Sequence, residues 1–191
     1  MVANEEREPR TLTRAELDAL IERHLSVLRY YVRLRAGPLL RSKEPVSDIV
    51  QSTLREIIES GTGFVYSGDG AFRRWIHRIA TNKIISKNRY HLAAMRNAAR
   101  EESLASRVWD VAQPGGSSPD HSPSQHAVHV EDLERLQFAF DALDEEERQI
   151  LSMRRIFDIP TPQIAEELGI AESTVRWRLA TIVAKLASRM G

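Results

Sequence analysis

The stretch EELGIAESTVRWRLATI, residues 166–182, follows directly on Ala165, which stands four residues before Gly169; Val175 stands six residues after that glycine. This is the spacing of a helix-turn-helix. Such a unit needs a small residue in its first helix, here Ala165, so that the second can cross closely. It needs glycine where the turn takes positive φ, because a side chain there is strained. It needs an apolar anchor, Val175, to hold the second helix against the first. Ile164, Leu168 and Ile170 supply the surrounding core. Glu172, Ser173, Arg176, Trp177 and Ala180 then face outward, where a major groove would lie. Arg176 can fork onto a guanine edge or a phosphate, and Arg178 suits a phosphate. Trp177 either stacks on a sugar or a thymine methyl, or folds back onto its own domain. The competing reading is an ordinary three-helix bundle in which Gly169 only caps a helix.

The flanking pattern extends this unit in both directions. Pro162 fits the first position of a short helix, PQIAEEL, with Thr161 as its N-cap. Glu172 or Ser173 opens the last helix, which turns Val175, Leu179, Ile182, Val183, Leu186 and Met190 inward. Upstream, Leu133, Leu136, Phe140 and Leu143 mark one helix. Asp144 caps the next, EEERQILSMRRIF, whose first-turn acids favour the helix dipole.

Residues 111–130, VAQPGGSSPDHSPSQHAVHV, hold three Pro, two Gly and four Ser and keep no helix or strand period. They read as a flexible linker between a domain at 1–110 and one at 131–191. The first domain also reads as helical. Leu17, Leu20, Ile21, Leu25, Leu28, Val32 and Leu34 lie largely at helical spacing over 14–35, and Gly37 with Pro38 breaks that run. Ser47 is the expected N-cap of the next helix, with Asp48 in its first turn. Ile49, Val50, Thr53, Leu54, Ile57 and Ile58 form its apolar face; Gln51, Ser52, Arg55, Glu56 and Glu59 lie opposite. A Gly-rich loop, GTGFVYSGDG at 61–70, precedes a long helix from about Ala71 to Arg100. Phe72, Trp75, Ile76, Ile79, Ala80 and Ile84 form its buried stripe, leaving the bases on the remaining surface. No strand is expected, so the fold class is all-α: two small helical domains, the C-terminal one a helix-turn-helix.

Composition bounds the function. The 191 residues, 42% hydrophobic, suit one or two small domains, and no run approaches the length of a membrane span. The charged N-terminus MVANEEREPR has no signal-peptide core, so the expected location is cytoplasmic. The chain has no Cys, which excludes disulfides and thiolate metal sites. His121, His126 and His129 fall in the linker, where nothing would fix them as metal ligands, and no metal or cofactor is expected. No catalytic constellation stands out, so an enzyme is not expected. Lys+Arg and Asp+Glu both number 27, whereas a protein that grips DNA unaided is usually basic. The charge is zoned instead: 71–100 holds eight Lys/Arg and no acid, and 141–147 holds five acids and no base. A basic helix beside Trp75, Tyr90 and a Gly-rich loop suits single-stranded bases, although the apolar stripe also gives Trp75 a place in the core.

Three motifs, in this order and spacing, resemble the extracytoplasmic-function (ECF) group of bacterial sigma factors. DIVQSTLREI at 48–57 is similar to that family's Asp-Leu-Val-Gln-Glu helix. FVYSGDGAFRRWIHRIATNKI at 64–84 is similar to its Phe-x-x-Trp-Leu-x-x-Ile-Ala-x-Asn pattern. ALDEEERQILSMRRIFDIPTPQIAEELGIAESTVRWRL at 142–179 is similar to its C-terminal helix-turn-helix. The resemblance implies a region 2-like domain at 1–110 and a region 4-like domain at 131–191. It implies promoter DNA and core RNA polymerase as partners, the latter through its β′ clamp helices and β flap; an anti-sigma factor is a further candidate, and no membrane is implied. Asp48, Gln51, Ser52 and Arg55 would dock on polymerase. Tyr66, Gly68, Asp69, Gly70, Ala71 and Asn82 would receive a flipped base of the minus-ten element. Arg73, Arg74, Arg78, Lys83 and Lys87 would hold that strand's phosphates. Glu172, Ser173, Arg176, Trp177 and Arg178 would read the minus-thirty-five element. Ser52 departs from the family's usual Glu, Trp177 stands where a small residue is usual, and the last helix continues with uncharged Leu-Ala-Thr-Ile.

The rival is a stand-alone helix-turn-helix regulator bound to a duplex operator, which leaves the basic helix without a purpose. A sigma-like decoy would keep Asp48 and Gln51 but lose the DNA surfaces, and the bases are present.

Overall fold

The computed structural model describes residues 8–105 and 135–190, with side chains placed over 8–98 and 135–189. The expected linker at 111–130, its three histidines and Leu133 therefore lie outside the described residues. A two-residue strand, β1 (Arg10–Thr11), leads into α1 (Arg14–Arg35), α2 (Pro38–Lys43) and α3 (Val46–Ser60). A single 3-10 turn at Gly61–Gly63 and a second short strand, β2 (Val65–Tyr66), precede the long α4 (Asp69–Ala105). The second half has α5 (135–141), α6 (Glu145–Arg155), α7 (Thr161–Leu168) and α8 (Glu172–Met190).

The helices begin and stop for local reasons. Thr13 caps α1 in a reciprocal box with Glu16, and Asp144 does the same for α6 with Glu147. Both boxes satisfy backbone N–H groups that the first turn leaves without helical partners. α3 and α7 start differently from the sequence expectation. Their N-cap residues are Pro45 and Pro160, with no side-chain cap. Ser47 lies inside α3 and donates to Asp48 Oδ1 (3.2 Å). Thr161 is the first residue of α7, which moves Pro162 to the second; its hydroxyl donates to Glu172 at the start of α8 (3.0 Å). In both cases a proline already in the extended region sets the chain direction, and the polar side chain is free for another contact.

The strands were not expected. β1 pairs antiparallel with β2, Arg10 opposite Tyr66 and Thr11 opposite Val65. Two residues are too few to carry a period-2 signal. α4 also starts earlier than its Gly-rich approach suggests, with Asp69 in its first turn.

The first-half core forms where α1, α3 and α4 meet, through Leu28, Tyr31 and Val32, Ile49 and Ile57, and the full stripe from Phe72 to Ile84. Trp75 is part of it, stacked on Phe64 with ring centroids 4.3 Å apart. In the second half, Ala165 and Val175 are buried where α7 and α8 cross, as their spacing requires. Gly169 has φ 65°, and its N–H donates back to Ala165 O and Glu166 O. Val183 departs from its expected inward position and is 43% exposed. Among the described residues no helix is long and apolar enough to cross a membrane.

A Cβ added at Gly169 meets nothing within 4 Å, so the cost of a side chain there is purely conformational. Gly169→Ala should lower the unfolding free energy by about 1 kcal/mol in urea titration, and Gly169→Asn by less, because Asn visits the left-handed region more readily. An unchanged midpoint for Gly169→Ala would show that the turn is not held in this conformation.

Candidate nucleic-acid interface

The long helix turns its bases outward because its other face is committed to the core. Yet three of these bases, Arg73, Lys83 and Lys87, are not free charges. Lys83 pairs with Glu56 of α3 (2.6 Å). Lys87 pairs with Glu44 after α2, which also accepts from His91 (2.7 Å). Lys87 first and His91 second hold the Glu44 carboxyl below the usual range. Arg73 reaches Asp69 one turn before it (3.2 Å) and Asp158 of the second half (3.4 Å). Arg78 is exposed, Arg74 is half-buried, and Asn82 is exposed. Three bases of a run without acids in sequence are thus paired with acids from four places in space.

The loop ahead of α4 is more tightly packed than a Gly-rich sequence suggests. Tyr66 is buried, with the Arg10 guanidinium 5.8 Å from its ring centroid. Gly68 and Gly70 are buried too, and Ala71 is half-buried. Asp69 accepts from His24 Nε2 (2.8 Å) and lies 3.7 Å from Arg23. The sequence-predicted base-receiving residues therefore stand close together along the chain, but Asp69 is held by three basic side chains.

On α3, Asp48, Gln51 and Arg55 share an exposed face, and Ser52 turns its hydroxyl back onto Ile49 O (3.0 Å). A groove between α1 and α3 runs beside this face, lined by Tyr30, Arg33, Val46, Val50, Gln51 and Leu54.

At the other end, Ser173, Arg176 and Trp177 stand exposed on α8. Trp177 is 67% exposed, so its ring does not pack back onto its own domain. Glu172 accepts from both Arg176 (2.6 Å) and Thr161, so it joins the starts of α7 and α8. Arg178 is turned sideways onto Glu146 of α6. Of the five residues expected to read the minus-thirty-five element, Glu172, Arg176 and Arg178 thus already have partners within their own domain, and Arg178 is the one drawn onto α6.

Sequence reasoning missed the contact between the halves. Phe157 lies edge-on to Tyr31 and to His77, with centroids 5.0 Å from each. Ser152 Oγ donates to Gln149 O (2.9 Å), so it accepts from His77 Nε2–H (3.2 Å). That leaves His77 Nδ1 buried without a partner. Thr81 Oγ1 likewise donates to His77 O, so Tyr31 O–H donates to Thr81 (2.7 Å). Around this centre Arg35 pairs with Glu145, Arg41 with Asp141 (3.1 Å), and Gln137 Nε2 donates to Leu34 O (2.7 Å). The only forewarning in the sequence is the acid block at 141–147, four of whose residues pair with bases of the first half or of α8: Asp141 and Glu145 with Arg41 and Arg35, Glu146 and Glu147 with Arg178 and Lys185.

Residues 20–93 match the description Sigma-70 region 2, and residues 133–186 match Sigma-70, region 4. The chain is 32% identical over 171 residues to the ECF RNA polymerase sigma factor SigL of Mycobacterium tuberculosis, a match spanning 86% of this chain and 83% of that one. It is 30% identical over 161 residues to the ECF RNA polymerase sigma-E factor of Haemophilus influenzae, spanning 82% and 80%. The fold is similar to that of CnrH, solved in complex with the cytosolic domain of CnrY, with a TM-score of 0.58 at 22% identity over 92% of this chain and 88% of that one. The chain belongs to the RNA polymerase sigma factors, and among them to the ECF group. It is a transcription initiation factor that binds core RNA polymerase and directs it to promoter DNA.

The buried His77 has a consequence for pH. Burial first, and the Arg35 charge second, lower its pKa to about 3. The unfolded chain then binds one more proton than the folded one between the ordinary value of about 6.5 and about 3, so stability falls as pH falls through that window. Glu167 works in the opposite sense, because burial raises its carboxyl. His77→Gln should therefore flatten the loss of stability between pH 6.5 and pH 4.5, by up to about 1.4 kcal/mol per pH unit relative to wild type. Identical pH slopes for the two proteins would contradict a buried, neutral His77.

Proposed function

We propose that this sigma factor reads promoters with two separate surfaces, each weak alone. Region 2, within residues 1–110, docks on the β′ clamp helices through α3, with Asp48, Gln51, Ser52 and Arg55 at the contact. It receives a flipped minus-ten base between the Tyr66–Ala71 loop and Asn82, while Arg73, Arg74, Arg78, Lys83 and Lys87 hold that strand's phosphates. Region 4, within residues 131–191, reads the minus-thirty-five element through Glu172, Ser173, Arg176 and Trp177, with Arg178 on a phosphate, and rests on the β flap. The observation that carries this reading is the pairing of two base-bearing helix faces, on α4 and α8, with a net charge of zero. Such a chain gains selectivity when a common scaffold tethers both faces to one DNA, because the second contact becomes intramolecular. An anti-sigma factor is the second protein partner, by analogy with CnrH, whose solved structure holds CnrY.

Transcription with purified core polymerase tests this directly: the protein should initiate from a specific site only in its presence. Tight binding to a palindromic duplex without polymerase would instead support a stand-alone regulator. Within region 4, Arg176→Ala should cut transcription from a promoter that depends on its upstream element by about tenfold, the worth of one base contact of 1–3 kcal/mol. Opening of the minus-ten segment, followed by permanganate footprinting on preassembled complexes, should change far less. Equal losses in both measurements would argue against the division of labour.

A further inference from the structure

α8 carries little free charge on the side that would meet DNA. Ser173, Arg176, Trp177, Ala180 and Ala184 recur there at helical spacing, and all of them are exposed. The arginines of this stretch are held within the domain. Arg176 pairs with Glu172 one turn back (2.6 Å), and Arg178, off to the side, pairs with Glu146 of α6. What projects from the middle of the face is an indole, Trp177, 67% exposed. Its neighbours along the face are small: Ser173 one turn before it, Ala180 and Ala184 one and two turns after. Trp177 therefore stands above them as a single knob, and nothing bulky beside it keeps the ring from the floor of a groove. Nor does the core of the domain use it. Val175 and Ile182 fill that role from the opposite side of α8, both fully buried.

The chemistry of an indole limits what it reads. It has one N–H donor, no acceptor and two apolar faces. Base edges in the major groove are donors and acceptors, with one exception: the 5-methyl group of thymine is apolar. An indole against that methyl buries apolar surface on both partners. Against an amino group or a carbonyl it would displace water from polar atoms that it pairs with one bond at most, and such desolvation is unfavourable.

We propose that Trp177 is a specificity-determining residue that reads the 5-methyl group of a thymine in the upstream element. At that base pair the preference is set by an apolar contact, with Ser173 and Arg176 left for neighbouring positions. The inference rests on region 4 as the reader of the upstream element and adds the base chemistry that it takes. It also gives a use to the one large side chain on a face otherwise built from small ones.

The test is transcription by core polymerase with the full-length chain. Templates randomised across the upstream region, each carrying a barcode in its transcribed part, identify the most active promoter. Each thymine of its upstream element, on either strand, is then replaced singly by deoxyuridine, which removes the methyl and keeps the pairing. Wild type should lose activity about fourfold at one such position, the worth of burying one methyl-sized group, and little elsewhere. Trp177→Ala should transcribe less from the parent promoter and be indifferent to deoxyuridine at that position. Trp177→Phe, which keeps an apolar ring and lacks the N–H, should keep the sensitivity. Because Trp177 is exposed, neither variant disturbs the core. Sensitivity lost in Trp177→Phe as fully as in Trp177→Ala would assign the reading to the indole N–H and overturn the proposal. Equal deoxyuridine losses in wild type and Trp177→Ala would overturn it too, as would a wild type indifferent to every replacement or a selected element without A·T pairs. These results leave region 4 in place as the upstream reader. Core-dependent transcription that favours no upstream sequence would instead remove that reading, and the thymine contact with it.

Discussion

Phe157 wedged between Tyr31 and His77 is the contact on which the arrangement of the two halves depends. The wedge buries three rings and brings a histidine out of water, in a neutral form, with one nitrogen left unpartnered. A buried polar atom without a partner costs about 1–3 kcal/mol, so the surrounding apolar contact has to be favourable enough to offset it. The ion pairs around it differ in weight. Arg35 is nearly fully buried while its partner Glu145 is half exposed, so solvent screens much of that attraction. Charge pairs of this sort set the register of the interface more than they stabilise it. An interface built from one apolar wedge and screened pairs is suited to a contact that forms and releases.

The same interface changes the meaning of the zero net charge. Averaged over the chain, bases and acids cancel. In space they cancel locally, with Lys83 on Glu56, Lys87 on Glu44, and Arg73 on Asp69 and Asp158. In the closed chain the basic helix and region 4 lie in contact. On a promoter, elements centred about 25 base pairs apart would stand about 85 Å from one another at 3.4 Å per step. One arrangement cannot serve both states. If the two halves read the two elements as proposed, reading them together requires the contact around Phe157 to open.

What could be read from the sequence was whatever local chemistry decides. Ala165, Gly169 and Val175 specify the turn within a dozen residues, and all three stand as their spacing requires. The apolar stripe of α4 was legible because a 3.6-residue period repeats over several turns. Capping was legible where a reciprocal box exists, at Asp144, and misleading where proline does the work, at Ser47 and Thr161. The two-residue strands carried no periodicity to read. Of the site, the exposure of Arg176 followed from helical geometry, whereas that of Trp177 was one of two alternatives the sequence left open. The diversion of Arg178 to Glu146, and of Arg73 to Asp158, did not, because these pairs join residues far apart in the chain. Charge blocks at 71–100 and 141–147 showed that something had to balance, without showing which residues would meet.

The central claim is that one chain adopts a closed form when free and an open one on the promoter. The absence of cysteine allows two spin labels to be placed without background, by Ala94→Cys on α4 and Ala184→Cys on α8, both exposed. Pulsed electron spin resonance then reads the distance between them in the free protein and in the complex with core polymerase and promoter DNA. The account predicts a single narrow distance for the free chain and a longer one in the complex. The same distance in both states, or a broad spread in the free chain, would contradict it.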